Sequence, residues 1–199
     1  MKVRLAITGG IACGKSVVGT LLARRGIPVC DADDLAHAAL DGDGVVRAAV
    51  AAEFGSGVFL EGGVSDRRRL GAIVFRDAEA RARLEAILHP YVLRQMHEWV
   101  VGQLLRHDMI AGIVPLLYEI GEQANWDLVL CVTTTAEAQR KRLATRGLSE
   151  TAATSRIAAQ MAIAEKVKRA DFVVSNQGTP AMLDDQIDRM LYRIRREFV

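Results

Sequence analysis

Residues Gly9 to Ser16 read G-G-I-A-C-G-K-S, the spacing Gly, four residues, Gly, Lys, Ser. That spacing fits a loop that cradles phosphate groups. Gly9 and Gly14 open backbone angles closed to other residues and let the chain approach a phosphate closely. Successive backbone N–H groups then turn inward, and a helix starting at Lys15 adds roughly half a positive charge at its N-terminus. Lys15 can reach the terminal phosphates of a nucleoside triphosphate, and the Ser16 hydroxyl can ligate Mg²⁺. Gly10, Ile11, Ala12, Cys13, Gly14, Lys15, Ser16 and Val17 are therefore the candidate ATP contacts.

Two elements must position this loop. Val3 to Thr8 (V-R-L-A-I-T) is a short apolar run suited to a buried strand, and Lys15 to Arg25 carries helix periodicity. Strand, glycine turn and helix are the context the motif requires. A second candidate group follows the next predicted strand, Gly26 to Asp31, as Asp31-Ala32-Asp33-Asp34. A carboxylate near Mg²⁺-ATP either holds the metal or accepts a proton from a hydroxyl that attacks the γ-phosphate. Asp31 and Asp33 would alternate on an extended chain and both face the site. The competing role for Asp33 or Asp34 is to cap the following helix.

The remaining chain alternates strands and helices around one helical block. Helices are expected from Asp34 to Leu40, Val45 to Glu53, Ser65 (as N-cap) to Phe75 and Asp77 to Leu88. His89-Pro90 breaks the pattern and starts another helix to about His107. Strands resume at Met109–Val114, Asp127–Thr133 and Asp171–Ser175, with helices at Ala136–Arg146, Glu150–Lys168 and Thr179–Phe198. Five strands alternating with helices give an α/β fold with a five-stranded parallel sheet, the P-loop NTPase core. Residues 1–33, 108–135 and 169–199 form the expected nucleotide-binding core, 34–107 a helical acceptor-substrate subdomain, and 136–168 a lid.

Ligands of such sheets sit at the carboxyl ends of the strands. The loop after strand three, Pro115 to Glu119, should therefore join the site, with Leu116 and Glu119 as candidate substrate contacts. Charge is uneven although the net is only +2. Eight acids face Arg47 alone between Pro28 and Asp66, and eight bases face Glu150 and Glu165 between Gln139 and Arg169. A basic helix pair beside a triphosphate site reads as a clamp, with Arg142 and Arg146 on one helical face. The segment lacks interleaved aromatics, which argues against nucleic acid.

Other classes fall away on composition. The longest strongly apolar stretch, Met109 to Leu117, is well short of the roughly 20 residues that span a bilayer. Nothing precedes the motif-bearing strand that resembles a signal peptide, so a cytoplasmic protein is expected, with no membrane partner. The three cysteines have no metal-ligand spacing. Cys13 reads as a tolerated loop residue and not a catalytic one, because the phosphate there needs backbone donors rather than a nucleophile; a helix N-terminus lowers thiol pKa, which leaves its sensitivity to oxidation open. The D-G-D-G run at Asp41 lacks the twelfth-position acid of a calcium loop.

Taken together these fragments resemble the dephospho-coenzyme A kinase family. The resemblance runs from T-G-G-I-A-C-G-K-S at Thr8 through D-A-D at Asp31, D-R-R-R-L-G-A-I-V-F at Asp66, L-E-A-I-L-H-P at Leu84 and P-L-L-Y-E at Pro115. It continues through Q-R-K-R-L-A-T-R at Gln139, R-I-A-A-Q-M at Arg156 and A-D-F-V-V-S-N at Ala170. It implies transfer of the γ-phosphate of ATP to the ribose 3′-hydroxyl of dephospho-CoA; Mg²⁺ is expected with the ATP, and a monomer or weak homo-oligomer as the assembly. It also implies Asp33 as general base, Lys15 and Arg142 as catalytic groups, Arg146 and Asn176 at the nucleotide, and His89 in the acceptor region. The sequence departs from the family pattern at Ala12 and Cys13, where Gly and Ser are usual, at His37, where Arg is common, and at Val114, where an acid is often found. No Asn-Lys-x-Asp guanine reader is present, which sets a GTPase aside.

Overall fold

The computed structural model describes residues 2–198; the outer limits expected for the core, residues 1 and 199, lie outside them. Five strands pair in parallel in the order β2-β3-β1-β4-β5. They are β1 (Val3–Gly9), β2 (Val29–Asp31), β3 (Met109–Ile113), β4 (Leu128–Thr133) and β5 (Phe172–Ser175). The three strands in the middle of the order, β3, β1 and β4, are nearly continuous apolar runs, as a sheet covered on both faces demands. Leu5, Ile7, Leu130 and Val132 join Val18 and Leu22 of α1 (Lys15–Arg24) in one cluster. Leu183, Ile187 and Ile194 of α9 (Pro180–Phe198) complete it. Strand alternation turns Ala6 and Thr8, both fully buried, to the opposite face.

The chain forms two compact units, one from residues up to Asp31 together with those from Val100 onward, the other Ala32–Trp99. The second is almost wholly helical, with α2 (Ala32–Gly42), α3 (Gly44–Phe54), α4 (Arg67–Val74) and most of α5 (Ala78–Leu104). Its core gathers Ala39, Leu40, Val50, Leu70, Leu84 and Leu88.

Four local expectations are corrected. α2 begins at Ala32, so Asp33 stands inside its first turn and neither Asp33 nor Asp34 is at the cap. Carboxylates at these positions favour the helix by offsetting its dipole, which starts it earlier than apolar periodicity alone indicates. Asp66 rather than Ser65 caps α4, accepting from the Arg69 N–H at 2.9 Å. Ser65 is buried and donates to Asp41 through its N–H and, at 2.6 Å, its hydroxyl.

Pro90 does not end a helix; α5 runs through it. A mid-helix proline costs about 3 kcal/mol or more. Against this, Ala80, Leu84, Leu88, Val92 and Met96 form an unbroken buried stripe at spacing four, whose burial outweighs it at about 1.5–3 kcal/mol per large side chain. Finally, the single helix expected from Glu150 to Lys168 is two, α7 (Glu150–Ala158) and α8 (Ile163–Arg169). No glycine or proline marks that break.

Candidate active site

The phosphate loop is held at both ends by close approach. A β-carbon at Gly9 would overlap the Val132 carbonyl oxygen of β4, and Gly9 has a φ of 143°. Gly14 has a φ of 101°, and the Asn176 carboxamide fills the space a β-carbon would need. Glycine at both positions is thus demanded by backbone and neighbours together. Ala12 also lies in the left-handed region, with φ 58°, at a cost of roughly 1–2 kcal/mol. Its methyl group is buried against Leu143 and Ala153, which offsets part of that cost.

Side chains from beyond the loop grip its backbone. Arg142 of α6 (Ala136–Thr145) donates from Nη1 to the Ala12 carbonyl at 3.1 Å and the Cys13 carbonyl at 3.3 Å. Its Nη2 donates to the Asn176 carbonyl at 2.8 Å. Asn176, just past β5, donates from Nδ2 to the Cys13 carbonyl at 2.9 Å. Gln139 donates to the Ile11 carbonyl at 2.7 Å, and Gln160 accepts from the Ile11 N–H at 2.8 Å. Carbonyls fixed in this direction turn the following N–H groups the opposite way, because the two point oppositely across a planar peptide. The Lys15 ammonium lies 3.0 Å from the Gly9 carbonyl and 3.1 Å from that of Gly10. The Ser16 and Val17 side chains are exposed in the first turn of α1.

Beside the loop sits a buried ion pair. Lys166 of α8 is fully buried, with Nζ 2.8 Å from a Glu119 carboxylate oxygen and 2.7 Å from the Pro115 carbonyl. Glu119 also accepts from the Met161 N–H at 2.9 Å, and the Thr8 hydroxyl donates to Pro115 at 3.3 Å. The loop after β3 is thereby tied to α8 and to the end of β1. Burial pushes the Cys131 thiol up to about 11, against the pull of nearby Lys166.

The candidate residues divide as follows. The loop residues, Arg142 and Asn176 come together; Leu116 and Glu119 lie after β3, with Glu119 engaged by Lys166. Arg146 stands at the C-cap of α6 and is exposed. Asp33 and His89 belong to the helical unit, Asp33 exposed at the start of α2 and His89 within α5. Ile11 has both backbone polar groups taken up by glutamines.

Cys13 is a buried thiol rather than an activated one. It is 2% exposed, and burial raises its pKa despite the opposing charges of Lys15 and Arg142. The basic segment is also more committed to the fold than its charge implies. Arg140 pairs with Glu150, Lys168 with Glu165, and Arg169 lies over the Tyr118 ring at 5.6 Å. Gln139, Gln160 and Lys166 are the participants the sequence concealed. Glutamine carries no charge to mark it, and Lys166 reads as one more base in a basic run.

This geometry is that of a phosphate loop, and the comparisons extend it to a family. Residues 3–181 match the family described as dephospho-CoA kinase. The chain belongs to the dephospho-CoA kinase family. A dephospho-CoA kinase of Anaeromyxobacter dehalogenans is 45% identical over 193 residues, covering 96% of this chain and 92% of that one. The solved dephospho-CoA kinase of Campylobacter jejuni superposes with a TM-score of 0.74 at 29% identity, covering all of both chains. A shikimate kinase of Acinetobacter baumannii shares the fold alone, with a TM-score of 0.59 at 13% identity over 100% of this chain and 97% of that one. Membership of the family makes the chain a kinase that transfers phosphate to a hydroxyl group.

Proposed function

We propose that the chain transfers the γ-phosphate of ATP to the ribose 3′-hydroxyl of dephospho-CoA, giving coenzyme A. The observation that carries this reading is the family match across residues 3–181, which includes the whole phosphate loop. The loop N–H groups and the N-terminus of α1 bind the triphosphate, and Lys15 exchanges its carbonyl partners for phosphate oxygens. Arg142 adds a fixed positive charge to the loop, which steadies the negative charge that develops during transfer. Arg146 and Asn176 serve the nucleotide.

Mg²⁺ keeps few protein ligands beside nucleotide phosphates and water. The exposed Ser16 hydroxyl, one residue after Lys15 in the first turn of α1, fits that role. When bound, the ion neutralises charge on the triphosphate.

On the acceptor side, Asp33 takes the proton of the 3′-hydroxyl as it attacks. His89 serves the same substrate from residues 34–107, and Leu116 and Glu119 from the loop after β3. Residues 136–168 act as the lid over the core formed by 1–33, 108–135 and 169–199. The free cysteines fit a reducing compartment, and we place the reaction in the cytoplasm, on a monomer or weak homo-oligomer. No helix among the described residues is long and apolar enough to cross a membrane. A coupled assay offering dephospho-CoA, nucleoside monophosphates and shikimate tests the acceptor. Dephospho-CoA should be turned over preferentially; preference for either alternative overturns the reading.

A further inference from the structure

The loop that carries the motif does not hold its own shape at Ile11. Its N–H is accepted by the Gln160 side-chain oxygen at 2.8 Å, and its carbonyl accepts from Gln139 Nε2 at 2.7 Å. The two carboxamides come from different elements, Gln139 from α6 and Gln160 from the connection between α7 and α8. Ile11 also packs its side chain on the small cluster of Ala12, Leu143 and Ala153, with Leu148 and Ile157 beside it. The backbone on either side of one Cα is thus fixed by two side chains, and the residue is seated on α6 and α7 by apolar contact.

Fixing both polar groups of one residue restricts its two soft dihedrals, and with them the direction of the peptides that follow. Ala12, the next residue, holds a left-handed φ of 58° that an alanine adopts only under constraint. We propose that Gln139 and Gln160 are positioning residues for ATP. They clamp Ile11 so that the loop presents its N–H groups to the phosphates, and they couple the α6–α7 pair to the nucleotide site. The inference rests on reading the loop as the ATP site. It adds two uncharged residues to the machinery, neither of which touches the reacting atoms.

The test replaces each clamp with a side chain of similar length that cannot make the bond, Gln139→Met and Gln160→Met. ATP binding is measured directly by equilibrium titration, alongside thermal midpoint and steady-state kinetics. Each variant should raise the Kd and KM for ATP about 3- to 10-fold, the loss expected for one hydrogen bond to a partly buried backbone group. The acceptor KM should stay near wild type, so that the KM values of the two substrates separate, while the thermal midpoint falls by only a few degrees as one backbone group loses its partner. An unchanged Kd for ATP in both variants overturns the proposal, as does a matched rise in the KM of both substrates. Should Gln160→Met fail to fold, Gln139→Met decides alone. Wild-type protein that binds ATP but leaves dephospho-CoA unphosphorylated would sink the proposed acceptor and leave the clamp readable through the ATP titration.

Discussion

The Asn176 carboxamide occupies the space that a β-carbon on Gly14 would take, while donating 2.9 Å to the carbonyl of Cys13, the residue before that glycine. One side chain from the end of β5 therefore explains why residue 14 is glycine and fixes the peptide that leads into α1. The relationship is read from packing, independently of any motif.

It predicts the outcome of Gly14→Ala. The new methyl group would displace Asn176 and strain a φ of 101°, so the loop would lose both its shape and a backbone anchor. ATP binding should weaken by at least ~10²-fold, from roughly 3 kcal/mol of combined strain and lost contacts. Equilibrium titration with ATP checks this, and near-wild-type affinity would refute it.

The ion pair of Lys166 and Glu119 predicts an asymmetry. Lys166 is fully buried, whereas the Glu119 side chain is 20% exposed. Glu119→Ala leaves a buried ammonium whose recorded partner is the Pro115 carbonyl, and should destabilise the protein by roughly 3 kcal/mol. Lys166→Met removes the buried charge, keeps the apolar stem and leaves a carboxylate that water can reach, so it should cost less. Thermal midpoints of the two variants decide, and the opposite order would contradict the account.

Asp41 predicts a dependence on acid. Hydrogen bonds from Ser65 and Arg67 lower its carboxyl from the ordinary 3.8 to about 2. The native state thus favours the ionised form, and the contribution is fully present above about pH 4. It is lost as pH falls towards 2, where both folded and unfolded chains become protonated. Asp41→Asn should be less stable than wild type at pH 6, and the gap should narrow between pH 4 and 2 in denaturant titrations. A gap independent of pH would show that the Asp41 charge is not what stabilises the Ser65 turn.

If Asp33 is the general base, Asp33→Asn should lower kcat by at least ~10²-fold while leaving the Kd for ATP nearly unchanged. Unaltered turnover would move the base elsewhere.

Much of this molecule was legible from residue order. The five strands stand where apolar runs sit between turn residues, and the loop from Gly9 to Ser16 declares its chemistry through spacing. What was not legible depends on tertiary partners. Pro90 is carried through α5 by a buried stripe that continues across it, and sequence gives no measure of that burial. The break between α7 and α8 falls in A-Q-M-A, Ala159 to Ala162, where no residue resists a helix. Its cause lies in partners distant along the chain, Ile11 for Gln160 and Glu119 for the Met161 N–H. At Cys13 the helix N-terminus is visible in the sequence, and the burial that outweighs it is not. The phosphate donor site is thus written locally, whereas the supports of that site are written in residues 128 to 163 positions away.

The central claim concerns where the phosphate goes. Dephospho-CoA incubated with ATP, Mg²⁺ and the wild-type protein should yield a product one phosphate heavier, with phosphorus and proton NMR placing the new monoester on the ribose 3′-oxygen. A phosphate on any other oxygen, or recovery of dephospho-CoA unchanged with protein that binds ATP, would contradict the account.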